Sequence, residues 1–452
     1  MKQIKLILLA TCLLTGCGIY KPYSRPEVVT DGLYRDTSIV DTLSLNKYKW
    51  EQFFTDDALR NLIIRGLKQN TDLQIAHTRV KAAEAVLTNA RLSYLPSVSL
   101  SPEGSVSRYD GTTVKTYNLA TSASWEIDIF GKVTNAKRGA RAALEGSRAY
   151  EQAVRTQLIA TIANSYYMLL LLDEQLIINE QTLKNWENTV HTLEVLKKAG
   201  KTNDAAVLQA CANRMSLEGA VISLRRSIRE TENNLSVLLA MPPQKIKRGT
   251  LDEQRFPEDL RIGVPLQLLT ARPDIRQAEY ALAQAFYATN AARSAFYPSI
   301  TLSGTAGWTN NGGGAIVNPG SWLLNALSSL TQPLFNRGAN IANLKVAKAQ
   351  QEEASLVFQQ TILNAGKEVN DAIAQWQTAQ ERIKIGAQQV RTLKEAVRKT
   401  ELLMRHSSVN YLEVLTAQQS LLAARLTQAQ DRFDKIQGVI NLYHALGGGL
   451  EN

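Results

Sequence analysis

Between Tyr117 and Phe130 the chain alternates strictly. Tyr117, Leu119, Thr121, Ala123, Trp125, Ile127 and Ile129 hold the odd positions, and Asn118, Ala120, Ser122, Ser124, Glu126 and Asp128 the even ones. Successive strand residues point to opposite faces, so the pattern predicts a strand with one mostly apolar face and one polar, acidic face. A strand of a soluble sandwich can alternate in the same way, because membrane-strand signals are weak one segment at a time. Two features favour a membrane strand: the stretch recurs later in the chain, and each copy runs into a very long helix.

Upstream, helical spacing begins near Trp50, with Leu59, Leu62, Ile63 and Leu67, then Leu73, Ala76, Val80, Ala83 and Leu87. Asn70-Thr71-Asp72 supplies helix-start chemistry, and Pro96, lacking a backbone donor, ends the second helix. Two alternating runs, Ser97–Tyr109 and Thr116–Phe130, joined at Asp110-Gly111, predict a hairpin over 97–130. No proline follows Gly131 until Pro242. Leu169, Leu172, Leu176, Leu183, Trp186, Val190 and Leu193 fall on three- and four-residue steps, with Asn179 the one polar member. This is a heptad seam, which favours coiling against a partner helix. The long helix is expected over about 132–198, which at 1.5 Å per residue is roughly 100 Å. A tip at 199–206 follows. A second seam (Leu217, Val221, Leu224, Ile228, Leu235, Leu238) then returns antiparallel and stops at Pro242-Pro243.

Past a linker at 244–264 the plan repeats. Tyr94-Leu95-Pro96-Ser97-Val98-Ser99-Leu100 matches Phe296-Tyr297-Pro298-Ser299-Ile300-Thr301-Leu302, Phe130 matches Phe335, and Val207-Leu208 matches Val414-Leu415. Slowly growing offsets between intact blocks mark a duplicated unit with small loop insertions. The expected organisation is a first repeat over 49–243 and a second over 265–452, the latter with a hairpin at 299–335, a long helix at about 338–405 and a tip at 406–413. The fold class is mainly α with a β part, built from a duplicated helix–hairpin–long helix–helix unit.

Each hairpin enters and leaves on one side, so Tyr94, Phe130, Phe296, Tyr297 and Phe335 are expected at one level, as in a membrane-interface belt. The opposite ends carry Gly111 and the loop Asn310-Asn311-Gly312-Gly313-Gly314. Strands of about ten residues suit a tilted transmembrane barrel. Four strands cannot close one, and lipid tolerates no open edge, so the barrel is expected to be shared between chains. On this reading Glu126 and Asp128 line a polar lumen rather than form a catalytic carboxylate pair.

Composition adds an address. Lys2 and Lys5, an apolar run from Leu6 to Leu14, and Leu14-Thr15-Gly16-Cys17 form a secretory signal over 1–16, too short to span a membrane. Residues 17–48 lack periodicity and read as an extended tether. Cys12 leaves with the signal and Cys211 stays unpaired, so no disulfide is expected. The net charge of +10 comes from interspersed Lys, Arg, Glu and Asp, without the aromatic-interleaved basic patch of nucleic-acid binders. Gly200-Lys201-Thr202 lacks the upstream glycine of a phosphate loop, and His77, His191, His406 and His444 lack metal-ligand spacing. No enzyme, metal or cofactor is expected.

The lipobox-like Leu14–Cys17, the stretch Trp50–Ala76, Arg272-Pro273-Asp274, Phe296–Ser299, Asn410-Tyr411-Leu412 and the C-terminal Leu442–Gly449 together resemble the outer-membrane factor family, the TolC-like exit ducts of efflux pumps, in its NodT-type lipoprotein branch. Leu450 departs from the branch, which usually has Trp there. The resemblance implies cleavage before Cys17 with lipid on its sulfur. It implies a homotrimer with a 12-stranded barrel in the outer membrane and a 12-helix tunnel in the periplasm. It further implies two partners, a periplasmic adaptor and an inner-membrane RND transporter. In the family an acid just past the second tip helps form a constriction; Thr416 stands at that position here, with Glu413 one turn earlier. Asn203, Asp204, Asn410, Glu413 and Thr416 are therefore the candidate gate residues, with Glu413 expected to reach across to Asn203. A type I protein-secretion duct and a non-conducting coiled-coil scaffold are the alternative functions.

Overall fold

The computed structural model describes residues 20, 22–27, 33, 49–256, 272–310, 321–405 and 411–449. Its elements run α1 (Trp50–Phe53), α2 (Asp57–Gln69), α3 (Thr71–Leu92), β1 (Ser97–Tyr109), β2 (Thr112–Ile127), α4 (Lys132–Lys198), α5 (Asp204–Leu238), α6 (Pro273–Ser294), β3 (Ser299–Thr309), β4 (Ser321–Thr331), α7 (Ala339–Arg405) and α8 (Tyr411–Ala445). The two halves repeat one plan: α4 and α7 each have 67 residues, and α5 and α8 each have 35. Two compact units result, one made of Met1–Val29, His77–Tyr150 and Asp274–Thr361, the other of Thr30–Ala76, Glu151–Pro273 and Ile362–Asn452.

The first unit holds the sheet. All four strands are antiparallel in the order β1-β2-β3-β4, so the hairpins of the two halves meet at β2 and β3. The first hairpin turns on two residues, Asp110 (φ 47°) and Gly111 (φ 77°). Positive φ at both positions matches the strand twist, so pairing resumes at once with Tyr109 opposite Thr112. The second strand thus starts at Thr112 rather than at Thr116, where the alternation first becomes clear. Between β2 and β3 the backbones come very close at Ala120–Gly307: a Cβ on Gly307 would lie 2.1 Å from the Leu119 carbonyl oxygen. Below the sheet, Val80, Leu87 and Leu144 pack α3 on α4. Tyr23 packs edge-on against Phe286, and the Arg25 guanidinium lies 5.5 Å over the Phe358 ring, so the N-terminal segment lies on α6 and α7.

The second unit is helical. Trp186 and Leu193 of the predicted seam are buried, and Asn179 is buried too, its amide donating to the Gln175 carbonyl. α8 approaches α7 closely at Gly438, where a Cβ would lie 3.0 Å from the Trp376 nitrogen. The stretch after α5, expected to be a linker, is stapled down. Ile246 and Leu251 are buried, and the Arg248 guanidinium grips Asp173 of α4 and Glu232 of α5. The hydrogen bonds that the guanidinium donates to Asp173 and Glu232 hold its pKa above the ordinary value, against the cost of burial. A buried charge of this kind persists because it is fully paired.

Replacing Gly307 by Val should force β2 and β3 apart, at a cost of about 1–3 kcal/mol or more. Heat-shifted gel mobility of the membrane fraction checks it: the variant should lose the folded band, whereas Gly104→Val, where no atom lies within 4 Å of the added carbon, should keep it.

Candidate functional site

The register sorts the sheet into two faces, because residues paired across antiparallel strands share a face. One face carries Val98, Leu100 and Val106 of β1, Leu119, Ala123, Trp125 and Ile127 of β2, Ile300, Leu302 and Trp308 of β3, and Trp322, Leu324 and Leu330 of β4. The other carries a field of hydroxyls and amides, among them Ser99, Ser101, Asn118, Ser122, Ser124, Thr301, Ser303, Thr305, Asn325 and Ser329. Trp322 is 73% exposed and Leu324 81%, so the apolar face has no covering layer among the described residues. That is the reverse of a soluble sheet, which buries its apolar side.

Aromatic residues bracket this face. At the helix end, Phe130 and Tyr297 stack with centroids 5.0 Å apart, the Trp125 indole donates to the Tyr94 carbonyl at 2.9 Å, and Lys137 lies 4.9 Å over the Tyr94 ring. Phe296 and Phe335 stand at the same end of the strands, 39% and 87% exposed. At the other end, Trp308 and Trp322 face each other across β3 and β4 with centroids 5.1 Å apart. From Ile300 to Trp308 the strand rises about 27 Å. Two aromatic rows flanking an apolar band of about that height follow the pattern of the girdles that outer-membrane sheets carry. The tryptophan row escaped sequence reasoning, although its signal, aromatics at both strand ends, was present.

The two strand carboxylates part company. Glu126 remains on the polar face of β2 and pairs with Lys132 at 2.8 Å. Asp128 lies beyond the end of β2, and its role is corrected accordingly. Its carboxylate accepts from the backbone nitrogens of Val133 (2.9 Å) and Thr134 (2.7 Å) and from the Thr134 hydroxyl, which caps α4. Gly131 at φ 69° makes the bend that brings it there. An acid at a helix N-terminus satisfies orphan donors and complements the dipole.

At the tips, Asn203 caps α5, its side-chain oxygen accepting from the Ala206 nitrogen at 3.0 Å, and Asp204 pairs with Lys197 of α4. Glu413 is exposed in the first turn of α8, and the exposed Thr416 donates to the Leu412 carbonyl at 2.8 Å. No hydrogen bond joins Glu413 to Asn203 among the described residues; the Asn203 carboxamide serves its own helix. Asn410 and Cys17 lie outside the described residues.

A residue the sequence did not single out links long helices of the two halves. Gln418 of α8 is buried, and its amide nitrogen donates to Glu401 of α7 at 2.9 Å and to the Thr189 hydroxyl of α4 at 3.2 Å. It sits beside an apolar cluster of Trp186, Val190, Leu193, Val207 and Leu415. A buried polar group in such a seam fixes which helices pair and in what register.

A duplicated chain with a two-faced sheet and paired long helices defines a membrane duct. The chain belongs to the outer membrane efflux protein family, whose model matches residues 62–241 and 264–448, once on each half. It is 30% identical to the cation efflux system protein CusC of Escherichia coli over 97% of both chains. It is likewise 30% identical to the probable outer membrane lipoprotein SilC of Salmonella typhimurium over 99% of both. The crystal structure of the open state of the MtrE outer membrane channel of Neisseria gonorrhoeae matches with a TM-score of 0.86 and 29% identity, covering 96% of this chain and 99% of that one. The protein is an outer-membrane exit duct of an efflux pump.

Replacing Gln418 by Leu should leave Glu401 and Thr189 without this partner and destabilise the helical unit by about 1–3 kcal/mol. Denaturant unfolding followed by circular dichroism checks it, and Leu at the exposed neighbour Gln419 should change little.

Proposed function

We propose that three copies join β1 of one chain to β4 of the next, forming a 12-stranded barrel whose apolar face meets lipid and whose hydroxyl face lines the passage. The observation that carries this reading is the division of the sheet into those two faces, with β1 and β4 left as open edges in the described chain. Lipid leaves an unpaired edge no partner except another strand. The long helices continue the duct into the periplasm as a 12-helix tunnel, where a periplasmic adaptor and an inner-membrane RND transporter deliver cargo. Conduction through the duct is passive.

A lipid on Cys17 fits the same arrangement. Tyr20 lies against Gly131, where a Cβ would be 3.5 Å from its ring. Cys17 stands three residues earlier in the sequence. The aromatic group of Tyr94, Phe130 and Tyr297 lies at the same junction of sheet and helix. Cys17→Ser should abolish palmitate incorporation; continued labelling removes the assignment.

At the tips, a ring of Glu413 carboxylates, one per chain, narrows the aperture and favours cations. Asn203 is committed to its own cap, so the ring acts through its charge rather than through a bond to the first tip. Purified protein in planar bilayers should conduct as a three-chain assembly. Glu413→Ala should raise the resting conductance and weaken cation preference. Unchanged values would take Glu413 out of the gate, and a protein that conducts nothing would favour a scaffold.

A further inference from the structure

A groove of about 700 Å³ opens on the helical unit. Its walls are Trp376, Gln380 and Ile383 of α7, and Arg432, Lys435, Ile436 and Val439 of α8. These positions follow helical i, i+4, i+7 spacing, so each wall is one straight helix face. The segment Leu251–Phe256 roofs one side. Ile436 and Val439 are buried, and with Trp376 and Ile383 they make an apolar floor, to which the roof adds Phe256 and the buried Leu251. The volume is that of an ordinary small-molecule site.

The charged residues of the groove are unequal. Arg255, Arg432 and Lys435 stand against the single acid Asp252, a balance of 3 − 1 = +2. Arg432 pairs with Asp252, and Arg255 donates to the backbone carbonyls of Asp252 (2.9 Å) and Gln254 (3.1 Å), which pins both guanidinium groups to the roof. The Lys435 ammonium has no such partner among the described residues, and the Asp252 carboxylate already serves Arg432. An apolar floor with a spare cation above it is complementary to an organic anion with an apolar body.

We propose that this groove binds an anionic amphiphile, a carboxylate or sulfonate with a hydrocarbon or aromatic body. The body lies along Trp376, Ile383 and Ile436, and the head pairs with Lys435, supported by Arg255 and Arg432. A neutral amphiphile finds the same floor but no partner for its head. A cationic one meets repulsion. The lining belongs to the helical unit alone and includes neither the strand hydroxyls nor the tip residues, so binding there is independent of conduction.

The test uses the full chain in phosphatidylcholine nanodiscs, with empty discs as the control for partition into lipid. Dansyl-undecanoate, whose emission rises in apolar surroundings, is the probe; decanoate and decyl maltoside, both below their micelle-forming concentrations, are the competitors. Decanoate should displace the probe and decyl maltoside should not. Lys435→Glu should weaken decanoate about tenfold, the worth of one charge-assisted contact. Raising the salt should weaken the wild-type protein in the same direction. Because Lys435 is half-exposed, its replacement leaves the floor intact, and the salt arm needs no variant at all. No binding beyond empty discs, equal displacement by the neutral competitor, or a Lys435→Glu protein that binds decanoate as tightly as the wild type would each overturn the proposal.

Discussion

The pairing of β2 with β3 is the interaction on which the rest of the structure depends. Among the described residues it is where strands from the two halves of the duplicated chain hydrogen-bond, running from Asn118 opposite Thr309 to Ile127 opposite Ile300. Because side chains alternate with period two, a slip of one residue would send Trp308 and Leu302 to the hydroxyl face and Thr305 and Ser303 to the apolar one. The close approach at Gly307 excludes such a slip sterically, since any side chain moved to that position would meet the Leu119 carbonyl. One ladder therefore determines which face is apolar across all four strands.

The helical unit solves a related problem with different chemistry. Long helices with heptad seams can slide by whole turns at little cost in apolar contact, so apolar packing alone specifies their register weakly. Buried polar groups remove that freedom. Gln418 joins three helices through two hydrogen bonds, and Arg248 ties α4 and α5 to the segment that follows them. Each of these groups has its partners only in one alignment, and misalignment would leave it buried and unpaired.

Much of this was legible where the signal is local. Pro96 stands just before β1, Asp110-Gly111 makes the turn, and Gly200 takes φ 70° just past α4. The strand faces were legible because alternation is a property of consecutive residues. What escaped depends on partners distant in sequence. Asp128 read as one more polar strand residue until the bend at Gly131 brought the start of α4 to its carboxylate. Gln418 looked like any glutamine on a helix, since nothing beside it in sequence hints at Thr189, 229 positions away. The stretch after α5 looked like a linker because its anchors, Asp173 and Glu232, belong to other elements. The groove at Trp376 escaped for the same reason, being assembled from three separate segments.

The first hairpin is longer than its neighbour. β2 has 16 residues against 11 for β3, and its pairing with β3 begins only at Asn118. Thr112–Tyr117 therefore hydrogen-bonds in strand register with β1 alone, with Asn310 closing the ladder through its side chain on the Tyr117 nitrogen at 2.6 Å. Beyond that point stands a two-stranded ribbon of about 20 Å, carrying Arg108, Asp110 and Lys115 and held by its own turn. Changes there cost the shared ladder nothing. In an outer-membrane duct, such a ribbon can change in sequence and charge while the shared ladder beneath it keeps its pairing.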